Sequence, residues 1–261
     1  MYGFIGGGNM ATAIISGLIS SGILPSEIIV SDKSEETLNR LTSGFSVGTT
    51  NSNTEVAEKS DYLFICVKPN IVKLVADEIK NKINQKTVIV SIAAGRTISV
   101  LEALFGDDKK IIRVMPNTPA QVGEGISAVC SNKAAENDID TIVDVFNKLG
   151  RCKKVDENLF DTVTAVSGSS PAYVFMMIEA MADGAVQGGM SRELAYTFAA
   201  QAVLGSAKMV LETGIHPGTL KDMVCSPGGT TIDAVASLEN DGFRNAIIKA
   251  MEACREKSSK L

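Results

Sequence analysis

The sequence predicts an α/β protein: a doubly wound, mostly parallel sheet over residues 1–155, followed by an all-helical domain over residues 156–261. Three observations carry that expectation. Short β-branched runs alternate with helix-period segments through the first half. Those runs are almost continuously apolar, as strands covered on both faces are. After Lys154 the alternation stops and only helical spacing remains.

The expected strands, in order, are "YGFI", "EIIVS", "DYLFICV", "KTVIVSI" and "KKIIRVM". Helical patterns lie between them at Met10–Ser21, Ser34–Ser43, Ile71–Lys82 and Thr97–Phe105. A further run "GISAVCS", a helix over Ala134–Leu149 and "CKKV" complete the first domain. The second domain reads as helices at Pro171–Gly189, Ser191–Glu212, Gly218–Val224, Thr230–Asn240 and Gly242–Lys257. Their alanines and methionines leave them apolar around much of their circumference, so they call for a second chain. Leu194–Leu211 is the longest apolar-rich stretch, but Tyr196, Thr197, Gln201, Ser206 and Lys208 interrupt it. It reads as a core helix and not a membrane span.

A formal charge of −5 and the lack of any basic run speak against a non-specific nucleic-acid or anionic-membrane binder. The cysteines (Cys66, Cys130, Cys152, Cys225 and Cys254) are odd in number, widely spaced and without a C-x-x-C pair. That usage fits reduced thiols in a cytoplasmic protein, with no metal site. A strand pattern starting at Tyr2, with no basic segment before it, leads to the expectation of no targeting segment.

Chemistry enters at "GFIGGGNMATAI". Gly6, Gly7, Gly8, Asn9, Met10 and Ala11 follow an apolar strand and open a helix, which is the G-x-G-x-x-A form of a dinucleotide-binding turn. Gly6 permits the tight turn, Gly8 lets backbone approach a pyrophosphate, and Ala11 keeps helix and strand close. The helix start supplies N–H groups and a positive dipole end. After the second strand, Asp32 suits a ribose 2′-hydroxyl and hence NAD, whereas Lys33 and Ser34 suit the 2′-phosphate of NADP. The same residues also serve as an ordinary helix start, with Ser34 as N-cap.

"GGGNMA", "CVKP" (66–69), "VSIAAG" (90–95), "RVMPNTPA" (113–120), "SGSSPAYVF" (167–175) and "LKDMVCSPGGTTIDAV" (220–235) occur in that order, and together they resemble pyrroline-5-carboxylate reductases. The resemblance runs from Gly3 to Lys257. Its departures are slight: Gly7 stands where many members have alanine, and "SGSSPAY" has serine where others have a second glycine. It implies a Rossmann-type domain followed by a helical dimerisation domain, with interlocked dimers that often assemble into decamers. It also implies NAD(P)H-dependent reduction of the cyclic imine pyrroline-5-carboxylate to L-proline. By resemblance, Val67, Lys68, Pro69, Ala93, Ala94 and Gly95 line the dinucleotide and Asn53 meets its adenosine end. Asn53 as the N-cap of a short helix is the alternative.

Other residues stay open between site and scaffold. Lys68 is either a base or the residue before a Pro-led helix start. Asn117, between two prolines, either faces the substrate or holds a turn. His216 in "GIHPG" reads as a turn residue, and Cys225 as a small hydrophobe. "SPGGTT" offers backbone N–H groups at Gly228, Gly229 and Thr230 for a substrate carboxylate. The Thr231 hydroxyl is then placed to meet the imine nitrogen and is the expected catalytic residue. Such a loop suffices because the cofactor carries the hydride and the imine arrives partly protonated. NADPH is the expected cofactor, with NADH also accepted. Two rivals remain: a related imine or β-hydroxyacid reductase, and a redox-sensing dinucleotide-binding protein. The second has no use for a substrate loop.

Overall fold

The computed structural model describes residues 1–260. The first half runs β1 (Tyr2–Ile5), α1 (Asn9–Ser20), β2 (Ile28–Ser31), α2 (Glu35–Phe45), β3 (Gly48–Thr50), α3 (Asn53–Lys59) and β4 (Tyr62–Ile65). It continues through α4 (Val72–Ile79), β5 (Val88–Ser91), α5 (Ile98–Phe105), β6 (Lys110–Met115), β7 (Gly125–Ser131), α6 (Ile139–Asn147) and β8 (Gly150–Lys154). These strands form one eight-stranded sheet in the order β3-β2-β1-β4-β5-β6-β7-β8. Every pairing is parallel except β6 with β7. The expected doubly wound, mostly parallel sheet is therefore present. The order reverses between β1 and β4, and in such sheets ligands bind at the carboxyl ends of the strands beside that switch point.

Alternation along the central strands divides the core in two. Phe4 faces Phe64 across the β1–β4 pair with ring centroids 4.7 Å apart, and both belong to a cluster with Ile14, Leu18, Val90 and Phe146. Their neighbours Ile5 and Ile65 belong to the opposite cluster, with Val56, Val75, Ile89 and Leu101. Successive side chains of a strand point to opposite faces, so near-continuous apolar runs fill both layers of helices. β3 is absent from the strands expected above. It is three residues long, lies at the sheet edge and carries no large apolar side chain, so it leaves no hydrophobic period to read.

Beyond β8 come α7 (Phe160–Val163), a π-helical turn at Thr164–Gly168, α8 (Ser170–Gln187), α9 (Arg192–Thr213), α10 (Pro217–Val224), α11 (Thr230–Asn240) and α12 (Phe243–Ser258). The chain forms two compact units. One holds Met1–Ser169 and takes back the chain from Cys254; the other is Ser170–Ala253. In the helical unit α8 packs on α9, with Ala182, Ala195 and Ala199 buried, since small residues let helices approach closely.

Leu194, Phe198, Leu204, Met209 and Leu211 along α9 are exposed in the single chain, in line with helices that call for a second chain. This helix is also the one among the described residues long and apolar enough to cross a bilayer by length and composition. The exposure extends to Phe175, Met176, Met223 and Ile248. An apolar groove of about 720 Å³ runs between α8, α11 and α12, with Tyr173, Met177, Leu238 and Ile247 along it. Sequence period identifies which residues avoid water but not which chain covers them. Light scattering at micromolar concentration is expected to give at least a dimer. A monodisperse monomer would contradict this.

Candidate active site

The glycine loop leaves β1 at the switch point. Gly6 has φ +96°, and a Cβ there would lie 2.7 Å from the Cys66 carbonyl oxygen, so both turn and close packing require glycine. Its N–H donates to Ser31 O at 2.8 Å, tying the β1 and β2 ends together. Gly8 is the N-cap of α1, has no protein atom within 4 Å of where its Cβ would stand, and provides no side-chain cap. The first turn of α1 also lacks an acidic residue. The first N–H groups of α1 thus have no side-chain cap, the condition for taking an anion. Asn9 is exposed, Met10 packs against the core beneath and Ala11 is buried, as the motif requires.

Asp32 does something that a local reading could not reveal. Its Oδ2 accepts the Gly7 N–H at 2.8 Å and its Oδ1 accepts the Ser34 N–H at 2.9 Å. The carboxylate braces the glycine loop and the start of α2 together. Ser34 is the N-cap of α2, its Oγ accepting from Thr37 N at 3.2 Å, while Lys33 is exposed beside it. The N-cap of α3 is Ser52; Asn53 is the first helical residue, so the capping alternative for Asn53 is set aside. Asn53 Oδ1 accepts from Ser31 Oγ at 2.8 Å and its Nδ2 donates to Glu78 at 2.8 Å, orienting its amide at the β2 end.

Two more loops share this edge. Val67 packs against the second core, Lys68 is exposed and Pro69 opens a 3₁₀ turn, which is the Pro-led start weighed for Lys68. Ala93 is buried, Ala94 is half-buried, and Gly95 turns with φ +72°. Arg96 joins the two loops, its Nε donating to Pro69 O at 3.1 Å. Asn117 behaves differently. It is 8% exposed, its Nδ2 donates to Ser167 O at 3.1 Å, and its Oδ1 accepts from Ile126 N at 2.9 Å. Both bonds go to backbone, so the side chain holds the β6–β7 loop and the π-helical turn.

The sequence reading did not single out Arg113 and Glu157. Arg113 is 5% exposed, lies 4.4 Å over the Phe160 ring, and its Nη1 donates to Glu157 Oε1 at 2.9 Å. The same oxygen accepts from Ile98 N at 2.6 Å. With Gly95, Thr97 and Asp161 they line a polar cavity of about 370 Å³. An arginine inside the apolar run "KIIRVM" was the available signal, because a buried charge demands a partner. Burial pushes the Cys152 thiol up to about 11, and burial with Glu157 nearby pushes Cys130 up to about 12. Neither is poised as a nucleophile.

In the helical unit, His216 caps α10 through Nδ1, which accepts from Gly218 N at 3.1 Å, and Cys225 ends that helix. Gly228 has φ +69°, and a Cβ at Gly229 would run into Ser226 Oγ. The positive φ calls for glycine at Gly228, whereas Gly229 is crowded by Ser226 and has ordinary backbone angles. Threonine does not cap α11, however. Gly229 is the N-cap, without a side-chain bond, and Thr230 and Thr231 open the helix. Like the start of α1 it has no side-chain cap, but here Asp233 stands in the first turn and Ser226 packs beside Gly229.

Residues 157–261 match the family model of pyrroline-5-carboxylate reductase dimerisation, and residues 1–95 match that of coenzyme F420-dependent NADP oxidoreductase. The chain is 53% identical over 261 residues to a pyrroline-5-carboxylate reductase of Escherichia coli, covering 99% of this chain and 97% of the relative. This chain belongs to the pyrroline-5-carboxylate reductase family. Another pyrroline-5-carboxylate reductase, from Arabidopsis thaliana, is 44% identical over 99% of this chain and 94% of its own. Among solved structures, the pyrroline-5-carboxylate reductase of Coxiella burnetii superposes with a TM-score of 0.91 at 34% identity, over 99% of this chain and 97% of that one. The Plasmodium falciparum pyrroline carboxylate reductase with NADP bound gives 0.90 at 35% identity, with the same coverage. A 3-hydroxyisobutyrate dehydrogenase of Mycobacterium tuberculosis, 13% identical with a TM-score of 0.54, shares the fold alone. As a family member the chain is an oxidoreductase, and its dimerisation domain, whose helices carry the exposed apolar face, supports homo-oligomerisation.

Proposed function

We propose that this chain reduces 1-pyrroline-5-carboxylate to L-proline with a reduced nicotinamide dinucleotide, the final step of proline biosynthesis. The observation that carries the reading is 53% identity along essentially the whole length of a reductase of that name. When bound, NAD(P)H supplies a hydride from the nicotinamide C4 to the imine carbon. The open N–H groups at Gly8 and Asn9 hold the pyrophosphate, and the loops at Val67–Pro69 and Ala93–Gly95 flank the cofactor. Gly228, Gly229 and Thr230 hold the substrate carboxylate through backbone N–H groups, and the Thr231 hydroxyl meets the ring nitrogen. The protonated imine becomes the secondary amine on gaining the hydride, so no strong acid is needed. Holding and orientation are then the main task of the protein.

In this reading residues 1–155 bind the dinucleotide, and residues 156–261 dimerise and bind substrate. The working unit is a cytoplasmic homodimer, each site completed across two chains, that assembles further toward a decamer. Unpaired thiols suit that compartment. The decisive assay follows NADPH oxidation with pyrroline-5-carboxylate against other cyclic imines and 2-oxoacids. Faster turnover of a 2-oxoacid would overturn the assignment.

Both cofactors are expected to work, with NADPH having the higher specificity constant. Asp32 is occupied by two backbone N–H groups, and Lys33 is free to pair with a 2′-phosphate. Lys33→Ala should lower kcat/KM for NADPH by about five-fold or more and leave NADH nearly unchanged. Equal losses would assign Lys33 to the helix and return Asp32 to the ribose.

A further inference from the structure

We propose that Arg40 is a positioning residue for the dinucleotide loop, aiming the backbone N–H groups that receive the pyrophosphate. The proposal rests on the dinucleotide reading above. Arg40 lies in α2, 33 residues from Gly7 and outside every motif that points to the ligand, yet its guanidinium reaches the glycine loop. Its Nη2 donates to Gly7 O at 3.0 Å and its Nη1 to Thr12 Oγ1 at 3.3 Å. The Thr12 hydroxyl in turn donates to Gly8 O at 3.0 Å. One guanidinium therefore fixes the Gly7 carbonyl directly and braces Thr12, whose hydroxyl and backbone N–H both donate to Gly8 O.

Planarity converts this into aim. In a trans peptide the C=O and the following N–H point in opposite directions. Drawing Gly7 O toward Arg40 turns the Gly8 N–H away from it, and holding Gly8 O on Thr12 does the same for the Asn9 N–H. Those are the N–H groups at the open start of α1. Glycine peptides are conformationally soft, so without such anchors the loop would sample other directions. From the other side, the Asp32 carboxylate takes the Gly7 N–H at 2.8 Å. The Gly7 peptide units are thus gripped by an anion at one end and a cation at the other. A Cβ at Gly7 would stand 2.7 Å from Leu41 Cδ1 and 2.8 Å from Thr37 Cγ2, so α2 packs directly on this glycine.

A direct contact between Arg40 and a 2′-phosphate would act on NADPH alone. An aiming role acts on the pyrophosphate, which NADPH and NADH share, and that difference is measurable. Dissociation constants of the full-length protein are measured by fluorescence titration with each dinucleotide. Arg40→Met should raise both by about ten-fold and by the same factor within two, the effect of losing a charge-assisted hydrogen bond. KM for the dinucleotide should rise with it, while turnover at saturating dinucleotide falls less. Arg40→Lys, which keeps the charge and the stem, should show a smaller but equally shared loss, and serves where the methionine variant folds poorly. A loss confined to NADPH, or no loss with either dinucleotide, overturns the proposal while the parent still binds. A parent that binds neither dinucleotide overturns the cofactor reading and this proposal with it.

Discussion

Thr231→Ala is expected to lower turnover of pyrroline-5-carboxylate by about ten- to a thousand-fold, the range for losing one orienting or proton-relaying contact. The fold should be almost untouched. Thr231 is the second residue of α11 and half-exposed, and no side-chain cap depends on it, so removing the hydroxyl empties no core site and frees no helix end. Thr231→Ser, which keeps the hydroxyl, should retain most of the activity. Turnover and Michaelis constant equal to the parent's in the alanine variant would remove Thr231 from the mechanism. Unchanged circular dichroism beside a large loss would place the effect in the chemistry.

The largest effect on stability is expected at Glu157. Its Oε1 takes two donors, the Arg113 guanidinium at 2.9 Å and the Ile98 N–H at 2.6 Å, and Arg113 is nearly inaccessible to water. Glu157→Ala strands a buried cation and a backbone donor together. Because the Glu157 side chain is itself 34% exposed, water offsets part of that cost. A loss of about 2–3 kcal/mol in urea unfolding is expected. Glu157→Gln keeps an acceptor for both donors and should lose less than half as much. A loss under about 0.5 kcal/mol in the alanine variant would show that solvent already satisfies Arg113.

What the sequence revealed and what it hid follow one physical line. The runs "DYLFICV" and "KTVIVSI" announce strands because a strand buried on both faces has no polar positions to spare. "GTT" at the sheet edge has no such constraint, and β3 passed unseen. The glycine loop was legible because turn, close approach and helix start are all local demands. Asp32, Lys33 and Ser34 left two readings open, and the bond that engages Asp32, from Gly7 N–H, spans 25 residues and leaves no local pattern. Arg113 and Glu157 are 44 residues apart, and Asn117 and Ser167 are 50 apart, so neither pairing leaves a short-range pattern. The apolar circumference of the second domain was legible as a need for burial. Which residues of α9 a second chain covers was not, because hydrophobic period is the same whether the cover comes from its own chain or another.

The return of the chain to its first unit at Cys254 alters the architecture in a topological sense. Cys254 Sγ lies 3.1 Å from Ser169 Oγ, and the Ser258 hydroxyl donates to Asp161 Oδ1 at 2.6 Å. Departure and return therefore sit side by side, and segment 170–253 is an insertion into a host and not an appendage to it. Closely spaced ends are the condition under which a host tolerates an inserted domain, since its own folding need not close a wide gap. Residues 254–260 thus belong to the sheet-bearing host, and the chain joins segment 170–253 to it at both ends.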